Sequence, residues 1–161
     1  MSLIIDGIII GFGATVVLDI WDMIFGFLPG QSRANWAPIG RWVWNLKDGK
    51  LFNDTIDDLT PYKNELALGW IFHYAVGIIY GVIFALYGGH EWFANPAFLP
   101  VWIWGIITLG AGWFILQPGL GLGFAASKLP NAWTVRVLGI IAHTFFAVGM
   151  YGTALLLGSF V

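Results

Sequence analysis

Asp19, Asp22, His73 and His143 are the side chains best placed to do chemistry, and all four lie inside long apolar runs. A carboxylate or imidazole in hydrocarbon is costly, so it normally turns toward a partner or a polar cavity. Asp19 and Asp22 are three residues apart and share one side of a helix. Two imidazoles and two carboxylates suit three kinds of chemistry. They could ligate a divalent metal such as zinc, iron or manganese. They could relay protons, since His titrates near neutrality and burial can bring an Asp toward it. Two histidines on different helices at equal depth could also clamp a haem iron axially, which would make a redox protein. The plainest alternative is a polar layer that only ties helices together, as in a structural or accessory subunit.

The elements that must position these groups are membrane spans. The chain has 161 residues, 58% hydrophobic and 10% charged, against about 25% charged for a soluble domain. A span needs roughly 20 mainly apolar residues, and the runs at about 3–28, 66–87, 99–117 and 132–157 meet that need. Pro29-Gly30 stops the first and Gly88-Gly89 the second. The expectation is an all-α fold, an integral membrane bundle of four transmembrane helices forming a single domain over residues 1–161. The Gly7-x-x-x-Gly11 and Gly77-x-x-x-Gly81 pairs fit close helix contacts. With no cysteine, disulfides and thiolate sites are excluded. Net charge is −2 with no dense basic cluster, so nucleic acid is not an expected partner. The lipid bilayer is.

Basic residues orient the spans. Arg33, Arg41, Lys47, Lys50 and Lys63 join the first two, Lys128 and Arg136 lie between and at the start of the last two, and the middle loop holds only His90 and Glu91. The positive-inside rule puts the first and third loops in the cytoplasm and both termini outside. Within the first loop, Asn35-Trp36-Ala37-Pro38 reads as a helix start. Trp36, Ile39, Val43 and Leu46 would share a face of a short interfacial helix. On this orientation Asp19 lies about nine residues, roughly 13 Å, from the cytoplasmic end of its span, and His73 and His143 roughly 10 Å from theirs. Arg41, Glu65, Tyr74, Gln117 and Arg136 form the cytoplasmic rim, with Arg41 or Arg136 expected to balance Asp22. Asp6 falls in the outer first turns, near water. His90 and Glu91 are candidates for an outer gate or binding site.

No G-x-S-x-G, H-E-x-x-H or positioned Ser/His/Asp order is present, so no catalytic residue is assigned and the reading leans away from an enzyme. The working function is proton-linked transport or permeation of a small solute or ion through the Asp/His layer. Four spans are few for a complete transporter, so a homo-oligomer or a partner membrane subunit is expected. By default no cofactor is required, with haem or a divalent metal on the four buried groups as the alternative.

Five motifs run along nearly the whole chain: Gly13-Ala-Thr-x-x-x-Asp19-x-Trp21-Asp22, Gly40-Arg41-Trp42, Gly69-Trp70-x-x-His73-Tyr74, Gln117-Pro118-x-x-Gly121-x-Gly123, and Arg136 seven residues before His143. In these the chain resembles a family of uncharacterised bacterial four-span inner-membrane proteins, domain of unknown function 2938. The resemblance implies a bacterial cytoplasmic membrane and four spans. It carries no activity, so function rests on the buried residues.

Overall fold

The computed structural model describes residues 2–30 and 32–158. Its elements, in chain order, are α1 (Leu3–Phe25), α2 (Ala37–Asn45), α3 (Glu65–Ala94), α4 (Phe98–Ala111), a π-helical segment (Gly112–Leu116), the one-turn α5 (Gln117–Gly119) and α6 (Ala132–Gly158). Short 3-10 turns lie at Leu46–Asp48, Ile56–Asp58 and Phe124–Ala126. The protein is all-α. Four stretches are long and apolar enough to cross a bilayer: Leu3–Phe25, Glu65–Ala94, Phe98–Gly119 and Ala132–Gly158. Large apolar side chains such as Ile8 and Phe12 on α1, Ile79 and Ile83 on α3, Ile103 and Ile107 on α4, and Leu156 on α6 are exposed. Such surfaces suit lipid, and the helices satisfy their own backbone polar groups there.

The helix ends follow local chemistry. The Ser2 hydroxyl caps α1 by accepting from the Ile5 N–H at 3.4 Å. That helix stops at Phe25, three residues short of the expected end, where Gly26 takes the C-cap and Phe27 and Leu28 turn away. Gly89 interrupts α3 with φ 63° and ψ −175°, a conformation open to glycine, so the break falls at the expected stop. The third span widens into its π segment before Pro118, which no residue pattern suggested.

The chain gathers into two compact units. One comprises residues 1–33, 74–108 and 141–161, the other 34–73 and 109–140.

The first unit is a cluster of α1 with parts of α3, α4 and α6. The two glycine pairs meet each other. A Cβ on Gly11 would come within 2.5 Å of the Gly77 carbonyl, and one on Gly7 within 2.5 Å of Val82 Cα. Gly149 of α6 presses on Ala14 of α1, and Gly105 of α4 on the His143 carbonyl of α6. Around these contacts Ile10, Ala14, Phe84, Val101, Phe146 and Met150 form the apolar core. Tryptophan N–H groups are spent inside it, from Trp104 to the Tyr80 carbonyl and from Trp102 to Thr144 Oγ1, each at 3.1 Å.

The second unit rests on α2. Asn35 Oδ1 accepts from the Ala37 N–H at 3.1 Å, and Pro38 sits in the first turn, as the sequence suggests. The packed face differs from the expected Trp36–Leu46 stripe: Gly40, Trp42 and Asn45 are the buried residues. Gly40 and Gly69 let α2 and the start of α3 touch backbone to backbone, Gly40 against the Glu65 carbonyl and Gly69 against that of Trp36. A side chain at either position would force the helices apart.

Candidate functional site

In the first unit, α1 and α3 bring Asp19 and Tyr74 together. The Tyr74 hydroxyl donates to Asp19 Oδ2 at 2.6 Å, a short bond of the charge-assisted kind. Phe12, two turns before Asp19, lies against the Tyr74 ring at a 5.4 Å centroid distance and limits its swing. Asp22 is half-buried one turn further along α1. Trp21 between them stacks on Phe145 at 4.2 Å and 10°, which fixes this side of α1 against α6.

His143 is also in this unit, on α6. Its Nδ1 lies 2.9 Å from the Gly105 carbonyl and 3.3 Å from Thr108 Oγ1. A carbonyl only accepts, so Nδ1 carries a proton and Nε2 is the basic nitrogen of the neutral ring. Thr108 Oγ1 itself donates to the Gly105 carbonyl at 2.8 Å. Gly105 therefore serves twice, admitting α6 by lacking a side chain and orienting His143 through its carbonyl.

The second unit holds His73, Arg41, Glu65, Gln117 and Arg136. His73 stacks on Trp36 at 3.8 Å and 28°, and Trp70 meets it edge-on at 5.8 Å. Two indoles thus form an aromatic cradle around the imidazole. Arg41 Nε and Nη2 donate to Glu65 Oε2 and Oε1 at 2.8 and 2.9 Å, a two-pronged pair about one-fifth exposed. The hydrogen bond it donates to Glu65 holds the Arg41 guanidinium above its ordinary range. Arg136 Nε donates to the Ala125 carbonyl at 2.8 Å. Of the two arginines expected to balance Asp22, Arg41 pairs instead with Glu65. That carboxylate reaches both prongs of the Arg41 fork, and the Arg136 bond goes to a carbonyl exposed by an unusual turn. In that turn Ala125 and Ala126 both have positive φ, 48° and 58°, which residues other than glycine and asparagine rarely adopt.

Gln117 sits where the π segment meets α5. Its Oε1 and the Trp113 Nε1 are buried with no hydrogen-bond partner among the described residues. The following glycine loop is occupied by protein. Asn53 Nδ2 donates to the Gly119 carbonyl at 2.7 Å and Asn53 N to that of Pro118 at 3.2 Å. Gly121, at φ 79°, passes so close to Asp54 and Thr55 that no Cβ would fit.

The residue that sequence reasoning passed over is Asn45. It is 1% exposed, and its amide holds Thr60 from both sides, donating to its carbonyl at 3.0 Å and accepting from its N–H at 3.3 Å. An asparagine on a mostly apolar helix was the available signal. His90 and Glu91 are exposed just past the Gly89 break. Asp6, expected near water, is buried at 7% exposure.

Chemically, the first unit offers a carboxylate held by a phenol and an imidazole with one nitrogen fixed. Among the described residues, no three His, Asp or Glu side chains gather as a metal would require. A polar network lies inside the apolar spans, with hydroxyl and ring N–H donors among its bonds. No curated protein and no solved structure matches this chain. Residues 8–157 match the family described as protein of unknown function (DUF2938). With nearly its whole length matched, the chain belongs to that family.

Proposed function

We propose that this protein passes protons across the bacterial inner membrane, linked to movement of a small solute or ion, with Asp19 as the exchanging group. The observation that carries the reading is the Tyr74–Asp19 hydrogen bond inside the spans. A half-buried carboxylate gripped by a hydroxyl can gain or lose a proton without breaking up its surroundings, and acids within spans mark proton relays and ion pathways. His143, with Nε2 basic, would take the next step. Both termini would face outward, and the working unit would be a homo-oligomer or a complex with another membrane subunit.

The test is proton flux into proteoliposomes with an entrapped pH dye. Asp19→Asn should cut the rate at least tenfold while circular dichroism and gel-filtration behaviour stay as in the wild type, and Tyr74→Phe should lower it less. Wild-type flux in a folded Asp19→Asn protein would end this reading. Because the chain lacks cysteine, single cysteines at Ser2 and Lys50 report orientation through an impermeant maleimide.

A second reading has its own support. His143 and Thr108 both spend hydrogen bonds on the Gly105 carbonyl, which favours a fixed structural tie for His143. On that reading His143→Gln lowers thermal stability and leaves flux unchanged.

A further inference from the structure

A cleft of about 200 Å³ in the first unit is bordered by Asp6 of α1, by His90, Phe93 and Ala94 beyond the Gly89 break, and by Ala154 and Leu157 of α6. Asp6 is only 7% exposed, and among the described residues nothing hydrogen-bonds its carboxylate. An acidic residue in a helix's first turn complements the helix dipole, but that role needs no burial. A carboxylate with so little water around it is steadied by a cation, and the cleft is where one could reach it. The rest of the lining is mostly apolar, with Phe93 and His90 part of it.

We infer that this cleft binds a primary ammonium group carrying a short apolar body. Asp6 would take the charge, His90 would accept a further N–H, and the Phe93 ring would add a cation–π contact. Ala94, Ala154 and Leu157 would enclose the body. The size is appropriate, since an apolar cavity of about 150 Å³ holds benzene. A bare metal ion fits less well. Only Asp6 and His90 could ligate it, fewer than the three or four protein ligands a zinc site uses, and the apolar walls would desolvate the waters that completed its shell. The same ammonium chemistry occurs in free amines and in the ethanolamine headgroup of a phospholipid.

Two arms separate those sources. In the first, full-length protein in maltoside micelles is titrated with benzylamine and with benzyl alcohol, its neutral counterpart, by calorimetry. The expectation is saturable binding of the amine at least tenfold tighter than the alcohol. Asp6→Asn should remove that preference, and Ala94→Trp, which crowds the mouth and leaves Asp6 in place, should remove binding. In the second, protein is extracted from nanodiscs of phosphatidylethanolamine mixed with phosphatidylglycerol and weighed by native mass spectrometry. A retained ethanolamine lipid, lost in both variants, identifies the headgroup as the source. Binding in either arm that depends on Asp6 supports the site. Equal binding of amine and alcohol with no retained ethanolamine lipid, no binding in either arm, or binding unchanged in folded Asp6→Asn and Ala94→Trp proteins overturns it.

Discussion

Replacing Asn45 with alanine should destabilise the protein by about 2 kcal/mol. Asn45 Nδ2 donates to the Arg41 carbonyl at 2.8 Å and to the Thr60 carbonyl at 3.0 Å, and Oδ1 accepts from Thr60 N at 3.3 Å. A neutral hydrogen bond contributes about 1 kcal/mol net, and the longest of these contributes less. Thr60 is exposed, so water re-forms part of what its backbone loses, and the lost packing of a side chain 1% exposed adds back a little. Asn45→Asp separates hydrogen bonding from packing. It keeps the shape but turns a donor that faced two carbonyls into an acceptor, so it should cost more than alanine, about 3 kcal/mol or above. The assay is reversible unfolding by increasing SDS fraction in mixed micelles, followed by tryptophan fluorescence. Limited proteolysis of the 46–60 segment should quicken in parallel. A loss below about 0.5 kcal/mol for Asn45→Ala, or an aspartate variant more stable than the alanine one, would refute the clamp.

Three further outcomes follow from the packing. Gly81→Leu should cost about 1–3 kcal/mol or prevent folding, because a Cβ there lies 2.6 Å from Gly11 N and Cα. Gly152→Ala, with nothing within 4 Å, is the matched control and should change SDS resistance by less than about 0.5 kcal/mol. Arg41→Lys should lose about 1 kcal/mol, since an ammonium cannot serve both Glu65 oxygens as the planar fork does. The double swap Arg41→Glu with Glu65→Arg should recover part of the loss in a double-mutant cycle. Ala125→Gly should stabilise by about 1 kcal/mol in the same unfolding assay, by relieving φ 48° at a residue with a Cβ.

The spans and their stops were legible because each is decided locally. Hydropathy sets the runs, and Gly89 breaks α3 where the Gly88-Gly89 pair stood in the sequence. The Gly7/Gly11 and Gly77/Gly81 pairs announced close contacts, and the structure adds that they contact each other. The buried polar layer was visible in outline, and Tyr74 was named without its partner Asp19 being foreseen. The remainder depends on which distant segments meet. Arg41 was aimed at Asp22, but Glu65 comes within reach because Gly40 and Gly69 let α2 and α3 meet backbone to backbone. The Trp36 stack on His73 has the same cause. Asp6 sat near a chain end, where exposure is the natural guess, and only the fold of α6 and of the segment after Gly89 closes around it.

The bond from Asn53 to the Gly119 carbonyl joins residues 66 apart in the chain, and that distance sets an order of events during synthesis. The Trp42–Leu51 and Asn45–Thr60 bonds link residues 9 and 15 apart, so they can form as soon as the first loop leaves the ribosome. The tie to Gly119 must wait until the third span has been made. At about 5–20 residues per second, that delay is roughly 3 to 13 s. For that interval the nascent loop has its own half of the structure and lacks the other. Its Asn53 amide and the surface later covered by the Pro118–Gly121 segment are open to chaperones, proteases and partner subunits, and become hidden once the third span is in place.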